Sequence, residues 1–200
     1  TAVVRVEGTA VDTIVAGGVQ EYYVAREVSG YFPVPLGEAT LATSSSRRLF
    51  VCANLTGHCQ VFDTSGTRIG EFALGLNLAR AGERDWQRAV DDLLGAQPSK
   101  GVRQRGATVL KELQPREAFP LVDQIRADAA GNLWVRTFDN FTSDVATWVV
   151  VTERGAPLAV VATPRALHVL DIGRDYVLGF TRDGEGVERI QLRQFTAFAR

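Results

Sequence analysis

Along most of this chain, short apolar runs rich in β-branched and aromatic residues are separated by Gly, Asp, Asn and Ser, the pattern of antiparallel strands joined by tight turns. The clearest stretch is Asp128-Ala-Ala-Gly-Asn-Leu-Trp-Val-Arg136. Asp128, Gly131 and Asn132 are turn-formers: Gly accepts positive φ, and Asp and Asn hydrogen-bond their own local backbone. An extended segment over 121–127 precedes this turn and a strand over 133–138 follows it. Further strands are predicted over 147–152 and 157–162, joined by Glu153-Arg-Gly-Ala156. These last two are apolar on both faces, whereas a sheet open to water on one side alternates. The pattern therefore predicts a four-stranded meander covered on both sides by other sheets.

A second complete meander is predicted from strands at 40–43, 49–53, 59–63 and 68–73. Two strands at 2–6 and 10–15, around Glu7-Gly-Thr9, match the last two of such a unit, and three at 166–171, 175–181 and 187–194 match the first three. Residues 17–38 form a connector with some strand character over 21–26, in which Tyr22, Tyr23, Tyr31 and Phe32 either line a groove or pack over a sheet edge. The period changes between 76 and 114. Trp86, Val90, Leu93 and Leu94 fall at helical spacing over 84–94, and Val102, Val109, Leu110 and Leu113 fall on one side of a second helix over 102–113. Gly95, Pro98 and Gly101 break the first helix and Pro115 stops the second, so the insert reads as a helical hairpin near 78–113, either a solvated cover or a lid over a cavity.

The units repeat. First-turn glycines Gly131 and Gly173 are 42 residues apart, and third-turn glycines Gly66 and Gly155 are 89 apart, which leaves one further unit once the helical insert is removed. A four-stranded unit recurring at about 40–45 residues is the signature of a β-propeller. Residues 1–16 read as the end of a blade, 39–73 as a full blade, 76–114 as the insert, 121–163 as a full blade, and 166–195 as a last blade lacking its fourth strand. A propeller ring commonly closes by taking that strand from the N-terminal end of the chain. Thr1 at the start, with no initiator methionine, leads to the expectation of a longer parent protein.

Ile125-Arg-Ala-Asp-Ala-Ala-Gly-Asn-Leu-Trp-Val135 resembles the first-turn pattern of NHL-type six-bladed propellers. Together with Phe119-Pro-Leu-Val-Asp-Gln124, Asp171-Ile-Gly-Arg-Asp-Tyr-Val-Leu-Gly179 and Gly186-Val-Glu-Arg189, it is similar to the C-terminal half of bacterial exported six-bladed propeller proteins of uncharacterised function. The resemblance covers most of the chain and is most specific over 119–194. It implies an all-β, partial six-bladed propeller, about three further blades upstream, and a periplasmic or extracellular location. One departure is Thr137, where NHL blades usually carry Asp six positions after the turn glycine.

Composition narrows the chemistry. A formal net charge of −1, with no basic stripe, speaks against nucleic acid as a partner. No apolar run approaches the ~20 residues needed to span a bilayer. Arginine supplies twenty of the 22 basic residues, and histidine occurs only as His58 and His168. Cys52 and Cys59 flank the turn at 54–57 and should lie opposite one another across a hairpin, as a disulfide or as two reduced thiols. There is no phosphate loop, dinucleotide fingerprint or Gly-x-Ser-x-Gly; Ser44-Ser-Ser46 is a polar turn, and the sequons at Asn54 and Asn140 read as turns.

Carboxylates remain as candidates. Calcium-dependent propeller hydrolases of the lactonase kind ligate metal with Asp, Asn and Glu projecting into the channel, and calcium takes six to eight oxygens. Asp123, with neighbouring Gln124, lies just before an innermost strand and either faces the channel mouth or braces nearby backbone amides; Asp171 stands at the opposite end of the next blade, and Glu38 is the nearest other acid at Asp123's level. With no metal site or cofactor evident, the expected function is non-catalytic binding of a small molecule or protein at the channel mouth, beside the helical insert, through Asp123 and Gln124. The alternative is a calcium-dependent lactonase or esterase with most ligands in other blades. Expressed alone, the chain is expected to self-associate through exposed sheet faces.

Overall fold

A computed structural model of the chain describes residues 3–7, 10–15, 20–24, 31–77, 79–97, 99–138 and 143–195, with the backbone alone for 3–7, 10–15, 23–24 and 31–32. The Gly8–Thr9 turn, Gly17-Gly18, Pro98 and the Asn140 sequon lie outside the described residues. The fold is mostly β, built of antiparallel sheets with two helices. Strands β1 (Val3–Glu7) and β2 (Ala10–Val15) pair, as do β3 (Tyr22–Val24) and β4 (Tyr31–Pro33). A four-stranded sheet follows in sequence order: β5 (Thr40–Ser44), β6 (Leu49–Ala53), β7 (His58–Phe62) and β8 (Arg68–Ala73). Helices α1 (Glu83–Gly95) and α2 (Lys100–Leu110) come next. A second four-stranded meander comprises β9 (Val122–Ala127), β10 (Leu133–Thr137), β11 (Val145–Val151) and β12 (Pro157–Pro164). The last sheet has three strands, β13 (His168–Ile172), β14 (Tyr176–Arg182) and β15 (Glu188–Gln194).

Four of the hairpin turns share one construction. The residue opening the turn accepts, through a side-chain oxygen, from the backbone N–H groups two and four positions on: Asp63 from Ser65 and Thr67, Asp128 from Ala130 and Asn132, Asp183 from Glu185 and Val187, and Thr152 from Arg154 and Ala156. The residue three positions on is a glycine with φ between 78° and 87° in all four, a backbone region that an L side chain strains to enter. Gly173 differs from its counterpart Gly131. Its φ is not positive, and a Cβ there would meet the Tyr176 ring at 2.1 Å, so close approach is what requires glycine.

The middle sheet is covered on both faces at β10 and β11, whereas β12, expected from its doubly apolar run to be covered likewise, is an edge strand and leaves Leu158 and Val160 38% and 71% exposed. Leu133, Val135 and Val151 pack with Ile125 against Phe50, Cys52, Cys59 and Val61 of the sheet before it. Trp134, Trp148 and Val150 face the other way, against Leu167, Val169, Ile172 and Val177 of the sheet after it. Both tryptophans are fully buried, and replacing either by Ala should cost about 3–5 kcal/mol. The first strands of the three sheets run side by side: Ala127 N–H donates to Thr43 Oγ1 at 3.1 Å, and Arg126 Nε donates to the Val169 carbonyl at 3.2 Å. Cys52 and Cys59, opposite one another in the β6–β7 register and fully buried, are joined by a disulfide with a Cα–Cα distance of 4.1 Å.

The helical hairpin has its own small core. Trp86 and Val90 of α1 and Leu110 of α2 pack with Leu36 of the connector and Phe119. Asp85 accepts from the Gly82 N–H at 2.9 Å at the start of α1, and Ser99 Oγ accepts from the Val102 N–H at 3.3 Å at the start of α2. The Arg116–Glu21 ion pair and the bridge between Arg80 and Ala118 tie the insert to the connector and close its base.

Candidate functional site

Register brings one end of the middle sheet together. Thr137 at the end of β10 pairs with Val122 at the start of β9, Arg136 pairs with Trp148 on β11, and Val145 pairs with Pro164 at the end of β12. The chain then passes through Arg165 into His168 at the start of β13. Helix α1 and connector residues 33–36 stand over this end and leave a cavity of about 670 Å³. Asp123, Arg136, Arg165 and His168 line it from the sheets, and Arg88, Asp92 and Leu93 line it from the helix. Pro33, Leu36 and Phe138 supply apolar wall. Phe138 is held by stacking on Phe119, with ring centroids 4.9 Å apart. The volume lies within the usual range for small-molecule sites.

The charges are arranged unevenly. Asp123 Oδ2 forms an ion pair with an Arg136 terminal nitrogen 2.5 Å away, and the Arg136 guanidinium lies 5.9 Å from the centre of the Trp148 ring. Arg136 Nε is buried and has no hydrogen-bond partner among the described residues. Arg126, one strand pair away, is pulled below the ordinary arginine range by burial and then by the positive charge of Arg136. Arg165 is oriented by Nε, which donates to the Ser143 carbonyl at 2.5 Å, and by its own N–H, which donates to the Asp144 carbonyl at 2.8 Å. The His168 ring is stacked on Phe180 at 4.7 Å. On α1, Arg88 makes no ion pair among the described residues. The hydroxyl of Thr137 donates to the Thr147 carbonyl at 3.3 Å.

Of the residues singled out from sequence, Asp123 lines the cavity, while Gln124, the next residue on the strand, is not among those that do. Asp123 and Gln124 are successive residues of β9, and successive side chains of a regular strand point to opposite faces. Glu38 is also not among the lining residues; its N–H donates to Glu21 Oε2 at 3.0 Å. Asp171 accepts from the Tyr176 hydroxyl at 3.0 Å, at the other end of β13 from His168. Among the described residues no group of three or more His, Cys, Asp or Glu side chains is placed to hold a metal ion, and no helix is long and apolar enough to cross a membrane. Sequence reasoning missed Arg88, Arg136 and Arg165, which give the cavity its positive charge. The available signal was the choice of arginine over lysine and its recurrence at strand ends.

Comparison with protein-family models, with curated proteins and with solved structures finds no match for this chain.

Proposed function

We propose that this chain is a run of β-propeller blades, of the six-bladed NHL-like kind, that binds a ligand without transforming it. Residues 39–73, 121–163 and 166–195 are its blades, 1–16 contributes to another, and the 76–114 insert is a cover over the binding end. Support comes from the middle sheet, whose opposite faces are buried against the sheets before and after it in sequence. Further support comes from the side-by-side first strands β5, β9 and β13. The Cys52–Cys59 disulfide favours an oxidising, periplasmic or extracellular setting.

The observation that carries the binding reading is the 670 Å³ cavity between α1 and the strand ends, with charged groups at one wall and apolar groups at another. A calcium-dependent hydrolase is the weaker reading, because the carboxylate it would use, Asp123, is engaged by Arg136 and shares its cavity with two further arginines. Thermal-shift screening against a chemically diverse panel of neutral, anionic and cationic small molecules tests the proposal. Hits are expected, and Ala89→Trp, which fills the cavity from α1, should remove their stabilising effect. A panel without hits, or hits indifferent to Ala89→Trp, would overturn it.

A further inference from the structure

Resting on that binding reading, we infer that the ligand is a small organic monoanion, a carboxylate carried on an apolar body. Charge sets the sign. Arg88, Arg136 and Arg165 against Asp92 and Asp123, three minus two, leave one arginine in excess of the carboxylates in the lining. A monoanion neutralises that excess, whereas a phosphate dianion exceeds it.

Geometry sets the group. Asp123 pairs with one terminal nitrogen of Arg136 through a single oxygen, which leaves the second terminal nitrogen of this partly exposed side chain, with no partner among the described residues, as a donor for a ligand carboxylate. Trp148 lies against the guanidinium and restricts its motion, so less ordering is needed on binding. Two backbone carbonyl contacts likewise fix the Arg165 side chain and main chain. The opposite wall sets the body. Pro33, Leu36, Leu93 and Phe138 offer an apolar surface, backed by the core that fastens the helical hairpin. A charged head at the sheet ends and an apolar tail under α1 satisfy both walls at once.

Calorimetric titration of the 200-residue chain with 3-phenylpropionate and with its uncharged amide tests the assignment. The acid should bind at least about tenfold more tightly than the amide and weaken with added salt. Arg88→Gln, at an exposed helical position, and Arg165→Gln should each reduce acid affinity about 3- to 10-fold and leave the amide unchanged. Equal affinity for acid and amide overturns the assignment while the binding reading stands. So does acid binding that survives both substitutions, or tighter binding of inorganic phosphate than of the acid. Failure of both probes while the diverse panel yields cavity hits also overturns it, and failure of every compound sinks the binding reading itself.

Discussion

Asp123 Oδ2 lies 2.5 Å from a terminal nitrogen of Arg136, which places the carboxylate expected from sequence at the channel mouth as the counter-ion of a cavity arginine. Its role under this account is to hold and partly mask a positive charge. Asp123→Asn should therefore raise affinity for 3-phenylpropionate, by about 3- to 10-fold for one partly screened charge. A metal-dependent hydrolase predicts the reverse. There, calcium should bind tightly and Asp123→Ala should abolish the calorimetric signal. Weaker acid binding in Asp123→Asn, or calcium heat that depends on Asp123, would contradict the counter-ion role.

Asp128 supports the fold in a different way. Its Oδ1 accepts two backbone N–H groups of the turn, and its Oδ2 accepts from the Asn132 amide and from Trp134 Nε1, at 3.0 Å for the indole. Trp134 is fully buried, so without Asp128 its N–H loses an acceptor inside the core. Asp128→Ala should cost about 3 kcal/mol and lower Tm by about 6–12 °C. Asp128→Asn should lose much of the same stability, because its amide would confront two donors where Oδ2 stood. Scanning calorimetry of both variants checks this; wild-type Tm values would contradict it.

The strands were legible because their signals are local. Turn-formers at Asp128, Gly131 and Asn132, and the doubly apolar run at 147–152, fix where strands end and how many faces are covered. Strand β4 was not legible, since Pro33 and Pro35 make Tyr31–Pro33 read as a connector. The helices were found from Trp86, Val90, Leu93 and Leu94, whose apolar spacing answers to a real core, although α2 stops at Leu110, five residues before Pro115. The site was mostly illegible. Its lining comes from the connector, α1, β9, β10, β11 and the approach to β13, so no spacing within one segment reports it. An arginine at a strand end reads from sequence as a solvated residue, and only register shows that Arg136 turns onto Trp148 and Asp123.

Two turn carboxylates predict a pH response. The Asp63 carboxyl is held below its ordinary value chiefly by the Ser65 hydroxyl and then by the Thr67 N–H, and Asp183 chiefly by the Val187 N–H and then by Arg189. A depressed folded-state pKa contributes stability above the unfolded value, about 3.9, and that contribution is lost as pH falls through the folded value. The paired substitution Asp63→Asn with Asp183→Asn should therefore shrink the fall in Tm between about pH 5 and pH 2. Parallel Tm–pH curves for the two proteins would contradict the assignment.

The outward face of the last sheet predicts self-association. Ile190 and Leu192 on β15 pair with Phe180 and Leu178 on β14, and Ile190 and Leu192 are 68% and 62% exposed. With exposed Leu170 and Val187 nearby, this sheet offers apolar surface that a second copy can cover. Light scattering should give a mass that rises with concentration above the 21.8 kDa of one chain, and Ile190→Lys with Leu192→Lys should return it to that value. A wild-type chain that stays monomeric at all concentrations would contradict this.

Amide chemical-shift mapping during titration with 3-phenylpropionate tests the binding cavity most directly. The largest shifts should fall on Ala89, Leu93, Phe138, Arg165 and His168, residues from three separate segments that meet around the cavity. Shifts confined to the outer face of β13 to β15, or spread over the far ends of the sheets, would contradict it.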